Sequence, residues 1–224
     1  MSMIHPTAIL DGDIDLGQGV EVGPYAVLRG PLEVGPGTRI GAHTALGGFA
    51  DELSARGPTA PNGPVRIGAN VLIREFVSVH HPFATGETRI ADDAYLMHGA
   101  YVAHDAFVGP RATLAQNAAM GGFSAVLEGS YVAMGASVVQ RVVVGSFAIV
   151  AAASAAVRSV PPFTRAIPGR PAEVNGYALE RYGYSDRRAE IEAFVLSGTR
   201  PSDAALISIV TDFERYVGRS RDAG

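Results

Sequence analysis

The chain contains no cysteine and no lysine. Without cysteine, disulfides, thiolate metal sites and thiol nucleophiles are excluded. Without lysine, all eighteen basic residues are Arg, so arginine is the only strong cation. No uninterrupted apolar run reaches the ~18 residues of a membrane span. The opening segment, MSMIHPTAIL, has neither the basic stretch nor the apolar core of a signal peptide. The net charge of −4 and the pI near 5.8 argue against nucleic acid or an anionic membrane surface as the main partner. The expectation is a soluble, cytoplasmic protein, long enough at 224 residues for a sizeable core.

What is present is a period of six. Aliphatic residues recur at Ile4, Leu10, Leu16, Val22, Leu28, Val34, Ile40 and Leu46, then at Ile67, Ile73 and Val79. They recur again every six residues from Ile90 through Val102, Val108, Met120 and Val138 to Ala156. Neither a helix (period 3.6) nor a simple strand (period 2) has this spacing. Self-similarity at a fixed short period marks a solenoid. Glycine often follows the aliphatic residue, as at Gly109 and Gly121. The expected reason is a corner that needs a positive φ.

Two stretches interrupt the repeat, GGFADELSARGPTAPNGPVR after Leu46 and HHPFATGETR after Val79. With three units to a coil, as the family resemblance of this repeat implies, and one step of six across each insertion, Leu10, Leu28, Leu46, Val79, Val102, Met120, Val138 and Ala156 share one face. Both insertions then leave from that face. Two places further on, a column forms from Gly12, Gly30, Gly48, His81, His104, Gly122, Gln140 and Arg158. His104 is followed by Asp105. An imidazole removes a hydroxyl proton at neutral pH, and a carboxylate fixes its tautomer. Gly122 offers an unobstructed backbone N–H to a developing oxyanion. These are the parts that direct acyl transfer to an alcohol requires.

The repeat itself, an aliphatic residue, often Gly, then four others, resembles that of the hexapeptide-repeat acyltransferases. That resemblance implies a left-handed parallel β-helix over 1–162, with loop insertions near 47–66 and 80–89. A short α-helical C-terminal region follows over 163–224. There, Ser185 is expected to cap a helix reaching about Leu196. Ser202 is expected to cap a second, with Asp203 in its first turn and an apolar stripe of Leu206, Ile207, Ile209, Val210, Phe213 and Val217. Part of the role of these helices is expected to be closing the open end of the solenoid.

The segment YLMHGAYVAHDAFVGPRATLAQNAAMGGF is more specific. With IHPTAIL, IREFVSVH and RYGYS, it resembles the UDP-N-acetylglucosamine O-acyltransferases that begin lipid A synthesis. The resemblance implies His104 as general base, Asp105 as its orienting partner and the Gly122 N–H as oxyanion donor. It implies acceptor contacts from His80, His81, Gln140, Asp51, Glu52, Asn175 and Arg181. It further implies no cofactor, an acyl carrier protein thioester as donor, a nucleotide-sugar acceptor, and a homotrimer with active sites between neighbouring β-helices. Phe123 stands where the family usually has histidine, Val139-Gln140 where it has His-Gln, and DELS (Asp51 to Ser54) where it has a lysine. GRPAEV, Gly169 to Val174, resembles the closing stretch of coenzyme A-dependent acetyltransferases, which keeps acyl-CoA as an alternative donor. A binding trimer without activity is a second alternative. A trimeric zinc site of the carbonic anhydrase type fits poorly, because His98 and His104 fall on different faces.

Overall fold

The computed structural model describes residues 3–51, 60–84 and 86–222. They form a parallel β-helix with three faces. Sheet I starts at Met3–Ile4, sheet II at Ile9–Asp11 and sheet III at Ile14–Leu16, with ten, eight and seven strands among the described residues. In the uninterrupted coils partners lie eighteen residues apart, as Tyr101 and Met120 show by pairing with Ala119 and Val138. Each coil is therefore three units of six. The aliphatic residue of every unit points inward, and from Val22 to Ala156 these residues are buried in one continuous core. Ile4 and Leu10 remain exposed because no coil lies above them.

Both insertions leave sheet II and return on sheet III. The first follows Ala45–Gly48 and returns at Val65–Ile67; the second follows Ser78–His80 and returns at Thr88–Ile90. The face read from the period is sheet II, with Leu46 beside Val79 and Val79 beside Val102. One register differs from the column read in the sequence. The pairing shifts between Val79 and His80, so His80 rather than His81 lies opposite Gly48. A bulge of this kind re-aims side chains, which a fixed period does not foresee.

The glycines also have a different reason from the expected one. The left-handed corner falls three residues after the aliphatic position and is mostly occupied by larger residues: Asp105, Arg111, Phe123 and Arg141 have φ near +60°. The glycine directly after the aliphatic residue is required by the next coil. A Cβ on Gly121 would stand 2.6 Å from the backbone N of Gln140, and one on Gly109 2.8 Å from that of Glu128. Gly109→Ala and Gly121→Ala are each expected to cost about 1–3 kcal/mol of stability, the usual range for overpacking. Gly218→Ala, in open space on a helix, is expected to be neutral or to stabilise by up to ~1 kcal/mol. Denaturant unfolding of the three variants checks this; equal midpoints would contradict it.

After the last full coil, Thr164–Ala166 still pairs with Ile149–Val150 and turns back antiparallel to Glu173–Val174. Helix α1 (Gly176–Arg181) was not expected from the sequence. Ser185 does not cap a helix; it opens a 3-10 turn, Ser185–Arg187, that runs into α2 (Arg188–Ser197). Helix α3 (Ala204–Asp222) is capped by Asp203, whose carboxylate accepts from the Ala205 and Leu206 amides. Ser202 instead donates through both N and Oγ to Glu190. The stripe packs as expected except for Ile207, which is exposed.

These helices lie along the sides of the solenoid. Leu179, Ile191 and Leu206 close over Phe147 and Phe163. Phe213, Tyr216 and Val217 of α3 pack on Ala125, Leu127 and Val143 of sheet III. The expectation of an end cap is corrected accordingly: the apolar surface that attracts α3 is the outward side of sheet III. Among the described residues no helix is long and apolar enough to cross a membrane.

Candidate active site

His104 sits two residues after Val102, at the corner between sheets II and III where both insertions emerge. Asp105 takes the left-handed corner position, φ +58°. A short polar side chain tolerates that conformation better than most. His104 Nδ1 lies 2.8 Å from Asp105 Oδ2. The carboxylate is held from the other side by the second insertion: Phe83 N–H donates to Oδ2 at 2.8 Å and Ala84 N–H to Oδ1 at 3.0 Å. Thr88 Oγ1 accepts from the Asp105 N–H at 2.9 Å. A carboxylate facing Nδ1 places the ring proton there, which leaves Nε2 as the basic nitrogen.

His104 is 2 % exposed. Phe83 and Phe123 meet it edge-on, with centroids at 5.9 and 5.2 Å. Gly122 lies against its Cε1–Nε2 edge; a Cβ there would fall 2.5 and 2.6 Å from those atoms. The Gly122 carbonyl accepts from Arg141 N, while its N–H has no acceptor among the described residues. The Arg141 guanidinium covers Phe123 at 5.0 Å. Helix α3 reaches the same corner: Ser220 Oγ donates to the Phe123 carbonyl at 3.4 Å, and Tyr216 stacks on Phe107. A cavity of about 290 Å³ lies between Asp105, Phe107, Phe123 and α3.

His80 and Asp51 form a second polar group above this corner, with Nδ1 and Oδ2 3.8 Å apart. Tyr101 joins them, its hydroxyl 3.4 Å from each. Sequence reasoning missed Tyr101. Its only signal is its place one residue before Val102, facing outward next to the first insertion. Burial, helped by Asp51, pushes the Tyr101 phenol up to about 12. Gln140 is exposed one coil below Gly122. Glu52 lies outside the described residues.

His81 turns away beneath the first insertion. Its Nε2 faces Gly47, and among the described residues neither ring nitrogen makes a hydrogen bond of ordinary geometry. Burial pushes both His80 and His81 below the ordinary histidine range; Asp51 partly offsets this at His80, and the backbone of Arg29, Gly30 and Gly63 at His81. In the unfolded chain these groups take up protons below about pH 6.5, before the folded chain does. Stability is therefore expected to hold above pH 6.5 and to fall below it, through the depressed folded values. Melting temperatures from pH 7.5 to 5 check this, and a double His80→Gln, His81→Gln variant is expected to flatten the curve. A wild-type curve already flat over that range would contradict it.

Asn175 and Arg181 lie elsewhere. They border a cavity of about 780 Å³ on sheet I, under α1, with Tyr95, Tyr131, Arg111 and Arg165. Asn175 also caps α1 and donates through Nδ2 to the Phe147 carbonyl. The structure thus brings His104, Asp105 and Gly122 together, places His80 with Asp51 nearby, and sets Asn175 and Arg181 on another face. His98 lies at the corner between sheets I and II, edge-on to Phe76, on a different face from His104.

The three-faced β-helix of six-residue units is the architecture of the hexapeptide-repeat acyltransferases. No family model matches the chain. Over 211 residues it is 34% identical to an acyl-[acyl-carrier-protein]–UDP-N-acetylglucosamine O-acyltransferase of Janthinobacterium sp. (strain Marseille), covering 84% of this chain and 79% of that one. Its counterpart in Paraburkholderia phymatum is 34% identical over 208 residues, covering 83% and 78%. The chain belongs to this family of enzymes. Solved UDP-N-acetylglucosamine acyltransferases share the fold. That of Francisella novicida superposes with a TM-score of 0.78 at 19% identity, covering 99% of this chain and 88% of that one. That of Campylobacter jejuni gives 0.76 at 22%, covering 93% and 94%. The fold is the left-handed parallel β-helix that the family resemblance implied, an exception to the usual right-handed crossover.

Proposed function

We propose that this chain transfers an acyl group from acyl carrier protein to a hydroxyl of UDP-N-acetylglucosamine, with His104 as general base. The observation that carries the reading is the His104–Asp105 pair seated on Gly122. His104 Nε2 takes the proton of the acceptor hydroxyl as its oxygen attacks the thioester carbonyl carbon. The imidazolium is stabilised by Asp105. The carbonyl oxygen becomes an oxyanion facing the Gly122 N–H. Collapse breaks the carbon–sulfur bond, and the imidazolium proton goes to the leaving thiolate. The walls formed by Phe83 and Phe123 exclude water, which would otherwise compete as nucleophile.

The acceptor grip divides between two places in one chain, the corner of His80 and Asp51 and the sheet I cavity of Asn175 and Arg181. That division supports a homotrimer in which the corner of one copy faces the cavity of the next. The enzyme then acts in the cytoplasm, where nucleotide sugars and carrier thioesters meet.

The test offers the purified protein UDP-N-acetylglucosamine with either an acyl carrier protein thioester or acyl-CoA. Acylated UDP-N-acetylglucosamine is expected by mass spectrometry with the carrier donor. Transfer from CoA alone, or none from either donor, would overturn the reading.

A further inference from the structure

We propose that Asn62, at the end of the first insertion, is a positioning residue for acyl transfer. It acts through the second insertion on Asp105, and so rests on the reading of His104 as base. Asn62 makes three contacts with the second insertion. Its backbone N–H donates to the Pro82 carbonyl, and its Nδ2 donates to the carbonyls of Phe83 and Ala84, all at 3.3 Å. The amides of those last two residues are the ones that hold the Asp105 carboxylate. An unbroken path of contacts therefore runs from Asn62 to His104 Nδ1.

The chemistry suits asparagine. One side-chain nitrogen carries two N–H donors, enough for two adjacent carbonyls. Aspartate has the same size but would face both carbonyls with acceptors only. The segment Pro82–Ala84 belongs to no strand or helix, so its backbone is only as fixed as its hydrogen-bond partners make it. Around Asn62 the two insertions meet closely: a Cβ on Gly63 would fall 1.9 Å from the Gly86 carbonyl, and Thr88 N donates to the Pro64 carbonyl. Thr88 in turn accepts from the Asp105 N–H. The insertions thus brace each other where the Asp105 carboxylate is anchored. With Asn62 lost, the Phe83 and Ala84 amides drift, the carboxylate turns, and the imidazole loses its tautomer and direction.

Asn62→Ala and Asn62→Asp are expected to lower kcat about tenfold, the lower end for groups that orient a reacting side chain through a hydrogen bond. KM for the acceptor and the melting temperature are expected to stay unchanged. In an Asp105→Ala background, Asn62→Ala is expected to cost less than twofold in kcat, because the group it positions is gone. Full kcat in both Asn62 variants, a loss carried by KM alone, or a tenfold loss that persists in the Asp105→Ala background would overturn the proposal. Two single variants in the same assay separate the two levels. If His104→Ala and Asp105→Ala keep wild-type kcat, the base assignment fails and this inference with it. If both lose activity and the Asn62 variants do not, this inference alone fails.

Discussion

Gly122→Ala is expected to lower kcat by about a hundredfold or more while leaving a folded solenoid. The added Cβ would stand 2.5 Å from His104 Cε1 and 2.6 Å from Nε2. Real Cβ atoms do not approach so closely, so the ring or the backbone must move. Phe83 and Phe123 flank the ring, and Asp105 holds Nδ1. The displacement, of order 1 Å, therefore falls on the Nε2 edge proposed to take the acceptor's hydroxyl proton. A shift of that size in a reacting group costs on the order of 10²-fold. The same substitution shifts the Gly122 N–H proposed as the oxyanion donor. Steady-state kinetics with circular dichroism as a folding control measures it. A kcat within threefold of wild type would show that the ring does not need its seat.

His104→Ala is expected to lower kcat about 10²- to 10⁴-fold, the range for loss of a general base. The residual rate would come from substrate positioning and the oxyanion donor, which the variant retains. The ring is almost fully buried, so its removal also leaves a void and lowers the melting temperature. His104→Gln keeps most of the volume and cannot serve as a base. It is expected to recover stability without recovering kcat. Recovery of kcat by Gln would mean that the ring only fills space.

The period of six, read with the three-unit coil that the family resemblance implies, places three sheets, because stacking an eighteen-residue coil makes inward position a function of residue number alone. It put Leu46, Val79 and Val102 side by side, and both insertions at the His104 corner, as the register has them. It misjudged what depends on contact between coils. Gly109 and Gly121 answer to the backbone of the next coil, which no single unit reveals. His80 and His81 exchange places through one register shift, set where the two insertions leave the stack. Tyr101 gains a role only from Asp51 and His80 beside it. The path of α3 along sheet III follows from apolar side chains such as Ala125, Leu127 and Val143 on the outward face, where the repeat sets no rule.

The proposed mechanism turns on His104 transferring a proton during acyl transfer to a nucleotide sugar. Its most direct measurement compares wild-type protein and His104→Ala, both verified as folded, with an acyl carrier protein thioester and UDP-N-acetylglucosamine. The product is followed by mass. Acylated UDP-N-acetylglucosamine is expected from the wild type and at least a hundredfold less per unit time from the variant. Equal product from both, or none from the wild type, would contradict it.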